Sequence, residues 1–481
     1  MNDRYGSNPP LICLMAAVLL LAGCTVGPTF TEPVVKVPAE YRTQGLSTGT
    51  AADLRWWELF DDPLLYALVT EALENNRDLH IAVSRIEQAR ANVGFNRADQ
   101  FPRVDGEGGA RVGNFNGGSR STETTSTVYL GAPLTWEVDF WGRYRRSTEA
   151  ARAELMATEF GLKAVQLALI AEVTSAYFEL LDSHRRLEIS RSTFASRRES
   201  LDIIQKRYDK GTVAELDLNQ AQIQEQIAAG AIPAYQRAIA QTENGLSLLL
   251  GRLPASVRLE KNLSEPSPPT IPVGLPADIL NRRPDILQAK YLLKAQTETV
   301  GVAEALRLPS ISLTGFLGFA STDLGSITTD GSVWSVGGRL LGPIIDFGKN
   351  KRRVEIEEQK MQQSLYRFQN TVLTAFREVD DALTEVATYR QELAAINRQQ
   401  MAAKNANRLS KERYNRGYSS YLEVLESERA LFNAELQRSE LQRRYHVAYV
   451  KLYKALGGGW ISKAEIAGDQ NPGPRVDAPA D

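Results

Sequence analysis

The chain has 481 residues, of which 43% are hydrophobic, so it is long enough for more than one domain and apolar enough to build a core. Its 56 Lys and Arg residues are balanced by 58 Asp and Glu residues, and the net charge is −2. Such a balance lacks the basic field of nucleic-acid-binding proteins, so the composition argues against a nucleic-acid partner. The three histidines, His80, His184 and His446, have no second ligand at metal-binding spacing, and no metal site is predicted.

The amino terminus has the parts of a secretory signal. Arg4 supplies positive charge, and the short apolar run 11–21 is followed by small residues. The letters LAGC, ending at Cys24, resemble the lipobox of bacterial lipoproteins, in which the chain is cleaved before the cysteine and the thiol receives a diacylglyceryl group. We therefore predict a signal peptide over residues 1–23, a covalent lipid at Cys24 and no other cofactor. No later stretch offers the ~18 uncharged residues of a transmembrane helix, so membrane insertion is predicted to use β-strands.

An internal repeat follows a lead-in over residues 24–60. Phe101-Pro102 matches Leu308-Pro309, and Asp139-Phe140 matches Asp346-Phe347, both at an offset of 207 residues. After a one-residue deletion, turn glycines and leucines of the two halves continue the match. We predict two homologous halves, 61–256 and 277–459, joined by a proline-rich linker, 257–276, and followed by a tail, 460–481, with the composition of a disordered segment.

Each half contains two segments with the alternation of a β-strand. From Val128 to Phe140 the even-numbered residues are all apolar, which is typical of an outer-membrane strand. The other predicted strands are 104–112, 311–319 and 333–345, with polar loops at 114–126 and 320–332. Four strands in an open sheet would leave edge N–H and C=O groups unpaired in lipid, so the sequence predicts a barrel closed by oligomerisation. A trimer would supply twelve strands, an even number within the known range.

The rest of each half is predicted to form very long helices. Residues 143 to about 207 and 349 to about 413 contain no proline, so each could form a helix of about 65 residues, near 100 Å in length. A seven-residue repeat marks a coiled-coil seam, with one set of positions three residues after the other. Its members are Leu365, Val372, Val379, Val386 and Leu393, with Phe368, Ala375, Ala382, Tyr389 and Ile396.

These motifs together resemble the lipoprotein branch of the TolC family. The likeness rests on the LAGCTVGP run at Cys24, the WWELFDDP run at 56–63, the paired Arg-Tyr-x-x-Gly turns beginning at Arg207 and Arg413, and the YLEVL run at 421–425. The resemblance implies a fold that mixes all-α structure with a transmembrane β-barrel. It implies a homotrimer with a twelve-stranded barrel, four strands per chain, continued by a periplasmic α-helical coiled-coil barrel. It also implies that the chain is not an enzyme.

The resemblance implies the function of an exit duct in a tripartite drug-efflux pump, lipid-anchored in the outer membrane. The implied partners are a periplasmic membrane-fusion adaptor, an inner-membrane pump of the RND type and outer-membrane lipid. The same architecture serves type I protein secretion, which is the alternative function; such channels usually lack a lipobox. A purely structural periplasmic coiled coil is a further alternative, but it would need no amphipathic strands.

The resemblance also implies a gate at the periplasmic turns. Glu423 and Glu426 take the places of an acidic pair that constricts TolC-like channels, although that pair is usually aspartate; from their spacing alone they would read as a solvated helix face. Asp217 occupies the first-half position, and Tyr414 is retained. The tip turns, predicted to contact the adaptor, contain Gly211, Thr212, Gly417, Tyr418 and Ser419. Ser419 stands where the family has an arginine that ties the closed tip.

Overall fold

The computed structural model describes residues 25–42, 60–116, 119–259, 276–322 and 331–458. The chain divides into two compact units, each built from segments of both halves of the sequence. The first unit comprises Met1–Val35, Ser84–Glu159 and Gln288–Asn370; the second comprises Lys36–Val83, Phe160–Leu287 and Thr371–Asp481. The predicted signal peptide, the predicted lipidation site Cys24 and the tail 460–481 lie outside the described residues.

Three pairs of helices recur with the same lengths in the two halves. The first half contains α1 (Pro63–Asn75), α2 (Arg77–Ala98), α3 (Arg143–Asp209) and α4 (Glu215–Leu249). The second contains the short α5 (Ile279–Arg282), then α6 (Pro284–Ala305), α7 (Lys349–Asn415) and α8 (Tyr421–Ala455). Helices α2 and α6 have 22 residues each, α3 and α7 have 67, and α4 and α8 have 35. The prediction of two very long helices is confirmed.

An aspartate shortly before each 67-residue helix accepts hydrogen bonds from backbone N–H groups at the start of that helix. The carboxylate of Asp139 accepts hydrogen bonds from the backbone N–H groups of Tyr144 (3.0 Å) and Arg145 (2.8 Å). The carboxylate of Asp346 accepts from Gly348 (3.0 Å) and Asn350 (3.1 Å), and these bonds lower the pKa of Asp346. Free N–H groups at a helix start need such acceptors. The matched Asp-Phe pairs of the repeat therefore mark the places where strand gives way to helix.

The predicted heptad seam of α7 faces the protein interior. Seven of its ten positions are buried and the other three are half-buried. In the second unit, seam residues such as Val379 and Val386 join an apolar core with Leu65 of α1, Leu180 of α3 and Leu452 of α8. The seam prediction is confirmed, because a 3,4 spacing places these side chains along one stripe of the helix.

The strands form one antiparallel sheet in the first unit. They are β1 (Arg103–Val104), β2 (Glu107–Asn116), β3 (Ser119–Val138), β4 (Ser310–Ser321) and β5 (Ser332–Leu341). Strands β1 and β2 both pair with one side of β3, β4 pairs with its other side, and β5 pairs with β4. The sheet therefore has the width of four strands, and within the described residues β2 and β5 each have one unpaired edge.

The two faces of the sheet differ in chemistry. Register places Leu130 beside Phe319, Trp136 beside Leu313 and Leu317 beside Trp334, all on one face. That face carries no charged side chain over residues 108–112, 128–138, 311–319 and 334–340. Its large side chains are nonetheless exposed: 59% for Leu130, 71% for Leu317, 77% for Trp334 and 80% for Val336. The opposite face carries Glu107, Arg111, Tyr129, Thr135, Glu137, Ser312, Thr314, Ser335 and Arg339.

Strand limits correct the sequence prediction at three places. The predicted loop 114–126 is mostly strand, because β2 runs to Asn116 and β3 begins at Ser119. Its many Ser and Thr residues suggest a polar loop, but Thr is β-branched and favours strands. Strand β5 ends at Leu341 instead of residue 345, because Pro343 has no N–H to donate to the ladder. Strand β3 ends at Val138, two residues early, where Asp139 turns to cap α3.

One described helix, α3, contains an 18-residue stretch long and apolar enough to cross a membrane by those criteria alone. Half of that stretch is buried within the protein. Core helices of water-soluble proteins meet the same criteria, so this stretch is weak support for a spanning helix.

Candidate functional site

The helical hairpins of the two halves turn with the same backbone geometry. After α3, the N–H groups of Gly211 and Thr212 donate to the carbonyls of Tyr208 (2.8 Å) and Arg207 (2.9 Å). After α7, Gly417 donates to Tyr414 (3.0 Å) and Tyr418 to Arg413 (2.9 Å). Gly211 and Gly417 have φ of 68° and 77°, which only glycine adopts without strain. The repeated Arg-Tyr-x-x-Gly motif is therefore a helix-ending motif used twice.

An apolar cluster joins the two hairpins beside these turns. We call it the tip cluster; it consists of Ile204, Leu218, Ala221, Tyr421, Val424 and Leu425, all at most 7% exposed. Tyr414 and Val213 pack against it, half-buried. Because the members come from α3, α4 and α8, separating the hairpins would expose apolar surface at a cost of about 25 cal/mol per Å².

Tyr414 is stacked between the hairpins. The guanidinium carbon of Arg207, in α3 of the first hairpin, lies 4.7 Å from the centre of the Tyr414 ring. The centre of the Tyr421 ring, in α8 of the same hairpin as Tyr414, lies 5.4 Å from the centre of the Tyr414 ring. Burial raises the pKa of Tyr421, and the charges of Glu428, Tyr414 and Asp217 raise it further. The Tyr421 hydroxyl therefore stays protonated over the physiological range. The contact of Arg207 with Tyr414 was not predicted from the sequence, although Arg207 is the first residue of the motif that ends α3.

The tip hydroxyls make no closing bond within the described residues. The Tyr414 hydroxyl and the Ser419 hydroxyl are both buried and neither has a hydrogen-bond partner there. Position 419 is a serine and makes no link between the hairpins among the described residues. The hairpins are linked instead by the cation–π contact of Arg207 with Tyr414. Thr212 bonds only locally, through its hydroxyl to the Arg207 carbonyl at 2.8 Å.

The predicted gate carboxylates lie on the surface of α8. Glu423 pairs with Arg413 at 3.5 Å, and Glu426 pairs with Arg429 at 3.2 Å; all four side chains are about half exposed. Pairs this exposed contribute little to stability. Asp217 is half-buried on α4 and lies near Tyr421. The structure thus places Asp217 near Tyr421 of the tip cluster and places Glu423 and Glu426 on the exposed surface of α8.

Three large apolar side chains are exposed around the turns. Tyr418 is 74% exposed, Leu216 is 64% exposed and its repeat partner Leu422 is 54% exposed. Leu216 and Leu422 were visible in the sequence only as members of the repeat, because one exposed leucine gives no periodic signal.

Within the described ranges, no group of three or more His, Cys, Asp or Glu side chains could hold a metal ion. His446 is buried and stacks on Phe178 at 4.7 Å, and burial lowers the pKa of His184. Both therefore behave as packing residues.

A sheet with an exposed apolar face, joined in sequence to two hairpins of very long helices, defines a class of membrane channel with a helical extension. The sequence profile described as Outer membrane efflux protein matches residues 68–252 and 275–458. The chain belongs to this family, whose members are outer-membrane channels and not enzymes. The TolC-like resemblance is confirmed.

Individual relatives agree along nearly their full lengths. The chain is 35% identical over 459 residues to the solvent efflux pump outer membrane protein SrpC of Pseudomonas putida, covering 93% of this chain and 97% of SrpC. It is 33% identical over 462 residues to the cation efflux system protein CusC of Escherichia coli, covering 94% and 99%. Its structure is similar to that of the outer-membrane channel OprN, with a TM-score of 0.85, 31% identity, and coverage of 91% and 100%.

Proposed function

We propose that three copies of this chain form the exit duct of a tripartite efflux pump, which carries drugs or other small molecules across the outer membrane. The exposed apolar face of the sheet is the observation that carries this proposal. Exposure of so many large apolar side chains on one face is unfavourable in water, whereas a lipid bilayer would solvate them. The side chains are Leu130, Leu317, Trp334 and Val336. The polar opposite face, with Glu107, Arg111 and Arg339, is suited to line a water-filled lumen.

The open edges of the sheet support the trimer. Unpaired N–H and C=O groups in hydrocarbon cost several kcal/mol each, so the free edges of β2 and β5 must be covered. Three copies of a sheet four strands wide would give a closed barrel of twelve strands. The structural neighbour OprN is described as an outer-membrane channel, which is consistent with this arrangement.

The tip supports a role as a gate and a docking site. In a trimer, Glu423 and Glu426 of each copy would surround one axis and attract cations, while Tyr418, Leu216 and Leu422 would offer apolar contacts to an adaptor. We propose that the adaptor links this duct to an inner-membrane pump. The two sequence halves, the proline-rich linker and the lipid at Cys24 belong to the same proposal.

Deletion of the gene tests the function. We expect increased susceptibility across a panel of solvents, metal ions and antibiotics, restored by the intact gene. From cells that carry the intact gene, we expect a membrane-extracted trimer that changes gel migration on heating. Loss of secretion of a protein, with unchanged susceptibility, would instead favour the type I duct. The relatives SrpC and CusC are named for solvent and cation efflux, so the panel must include both classes.

A further inference from the structure

The start of the described chain is held against the first unit by backbone contacts. We call Thr25–Gly27 the strap. The Val26 N–H donates to the Trp141 carbonyl at 3.2 Å, and the Gly27 carbonyl accepts from Arg146 at 3.3 Å. Arg146 is itself fixed by an ion pair with Glu298 of α6 at 2.5 Å, with both side chains about nine-tenths buried. The strap therefore rests on a charge pair that is already ordered.

Glycines make this close approach possible. Gly27 has φ of 100°, and a Cβ atom there would lie 2.4 Å from the Cα of Gly301 in α6. A Cβ at Gly301 would lie 3.1 Å from the Val26 carbonyl oxygen. A Cβ at Gly142, whose φ is 79°, would lie 2.8 Å from the Thr25 side chain. Each of the three residues thus lets backbone meet backbone where a side chain would collide.

The same position in the other half lacks this arrangement. Gly94 of α2 corresponds to Gly301 at the repeat offset of 207, yet a Cβ at Gly94 would meet nothing within 4 Å. The counterpart of Glu298 is Ala91, and the counterpart of Arg146 is Arg353, which donates to Asn350 on its own helix. Common ancestry explains the two glycines, but only α6 carries the charge pair that fixes the strap.

We propose that this α6 surface is a docking site that fixes the amino terminus of the mature chain beside the junction of β3 and α3. Thr25, the first described residue, lies against Gly142 at that junction. Phe140 and Trp141 lie there, with ring centres 4.7 Å apart, and aromatic residues favour the membrane interface. The strap would thus deliver the acyl group of Cys24 at the level where the sheet enters lipid; this last step rests on the proposed lipidation.

Hydrogen exchange of the strap tests the docking. In the full-length protein extracted in detergent, we expect Gly301→Val to speed exchange of the Val26 amide by about tenfold or more, because the added methyl groups displace the strap. Gly27→Ala should do the same without altering any helix. The matched control Gly94→Val changes the same residue type at the repeat-related position and should leave Val26 exchange unchanged. Unchanged exchange in both strap variants would overturn the docking site.

Measurements of trimer yield and palmitate incorporation distinguish the docking of the strap from the lipidation of Cys24. We expect Gly301→Val and Gly27→Ala to incorporate palmitate normally but to lose most of the heat-modifiable trimer. Normal trimer yield with an undocked strap would overturn its role in positioning. Cys24→Ser should abolish palmitate incorporation; if it does not, the lipidation is wrong and the acyl placement with it, whereas Val26 exchange still decides the docking.

Discussion

Arg207 and Tyr414 form one of the contacts that join the two hairpins at the tip, in addition to the tip cluster. A guanidinium over an aromatic ring contributes about 0.5–1 kcal/mol at exposed sites. We expect Arg207→Gln to raise the open fraction of the channel in planar bilayers, because each subunit loses a contact made only while the hairpins are together. Arg408→Gln is the control: it removes an exposed arginine of α7 that pairs with Glu412 and touches neither the tip cluster nor the predicted gate carboxylates. Equal effects of the two substitutions would show that the Arg207–Tyr414 contact does not hold the hairpins together.

Glu423 and Glu426 are expected to affect ion selectivity more than the stability of the fold. Both carboxylates are about half exposed, and their arginine partners screen them only in part. We expect the double variant Glu423→Ala with Glu426→Ala to lose cation selectivity and block by multivalent cations, with normal trimer yield. Glu149→Ala, which breaks a similarly exposed ion pair with Arg152 on α3, serves as the control. Selectivity and block that survive the double substitution would return both residues to a solvated helix surface.

Residue chemistry at the tip was only partly accessible from sequence. The glycines that end α3 and α7 were predictable, because the motif is repeated and only glycine suits the backbone there. The stacking of Arg207 on Tyr414 was not, because it depends on how two hairpins from distant parts of the chain pack together. Ser419 stands where the family has an arginine, and its buried hydroxyl has no partner among the described residues.

Among the elements, strands were predictable where one face must be apolar. The alternation from Val128 to Val138 fixed the position of β3, but its first residues, from Ser119, carry polar side chains and gave no such signal. The long helices were predictable because proline is absent and the seam is regular. Their starting residues, 143 and 349, were predicted correctly from the sequence, and the structure adds that the carboxylates of Asp139 and Asp346 accept backbone N–H groups there.

The two faces of β3 give a test with neighbouring residues. Leu134 lies on the apolar face and Thr135 on the polar face, with Gly315 and Thr314 as their partners on β4. We expect Leu134→Arg to cost about 2–4 kcal/mol per subunit near the bilayer midplane, whereas Thr135→Arg should be mild. The yield of heat-modifiable trimer in the outer membrane measures the difference. Similar yields for the two variants would show that the faces are assigned wrongly.

Assembly of the whole molecule depends on the backbone N–H groups at the open edge of β5. One hydrogen bond shows which N–H groups of β5 point towards that edge. The Ala320 N–H donates to the Gly331 carbonyl at 2.7 Å, and the β4–β5 register is regular from there to the pair Ser310 and Leu341. Antiparallel ladders alternate, so Ser335 directs its N–H towards β4 and Val336 directs its N–H towards the open edge. Only the second set of donors is available to another copy of the chain.

Proline at these two positions therefore separates assembly from folding of the sheet. Val336→Pro removes one outward donor and leaves the β4–β5 ladder intact, so we expect an acylated, helical chain that forms little heat-modifiable trimer. Ser335→Pro removes an inward donor and should weaken the sheet within each chain, which limited proteolysis would detect. Val336→Ala keeps the donor and should assemble normally. If Val336→Pro yields as much trimer as Val336→Ala, the edge of β5 does not pair with a second copy.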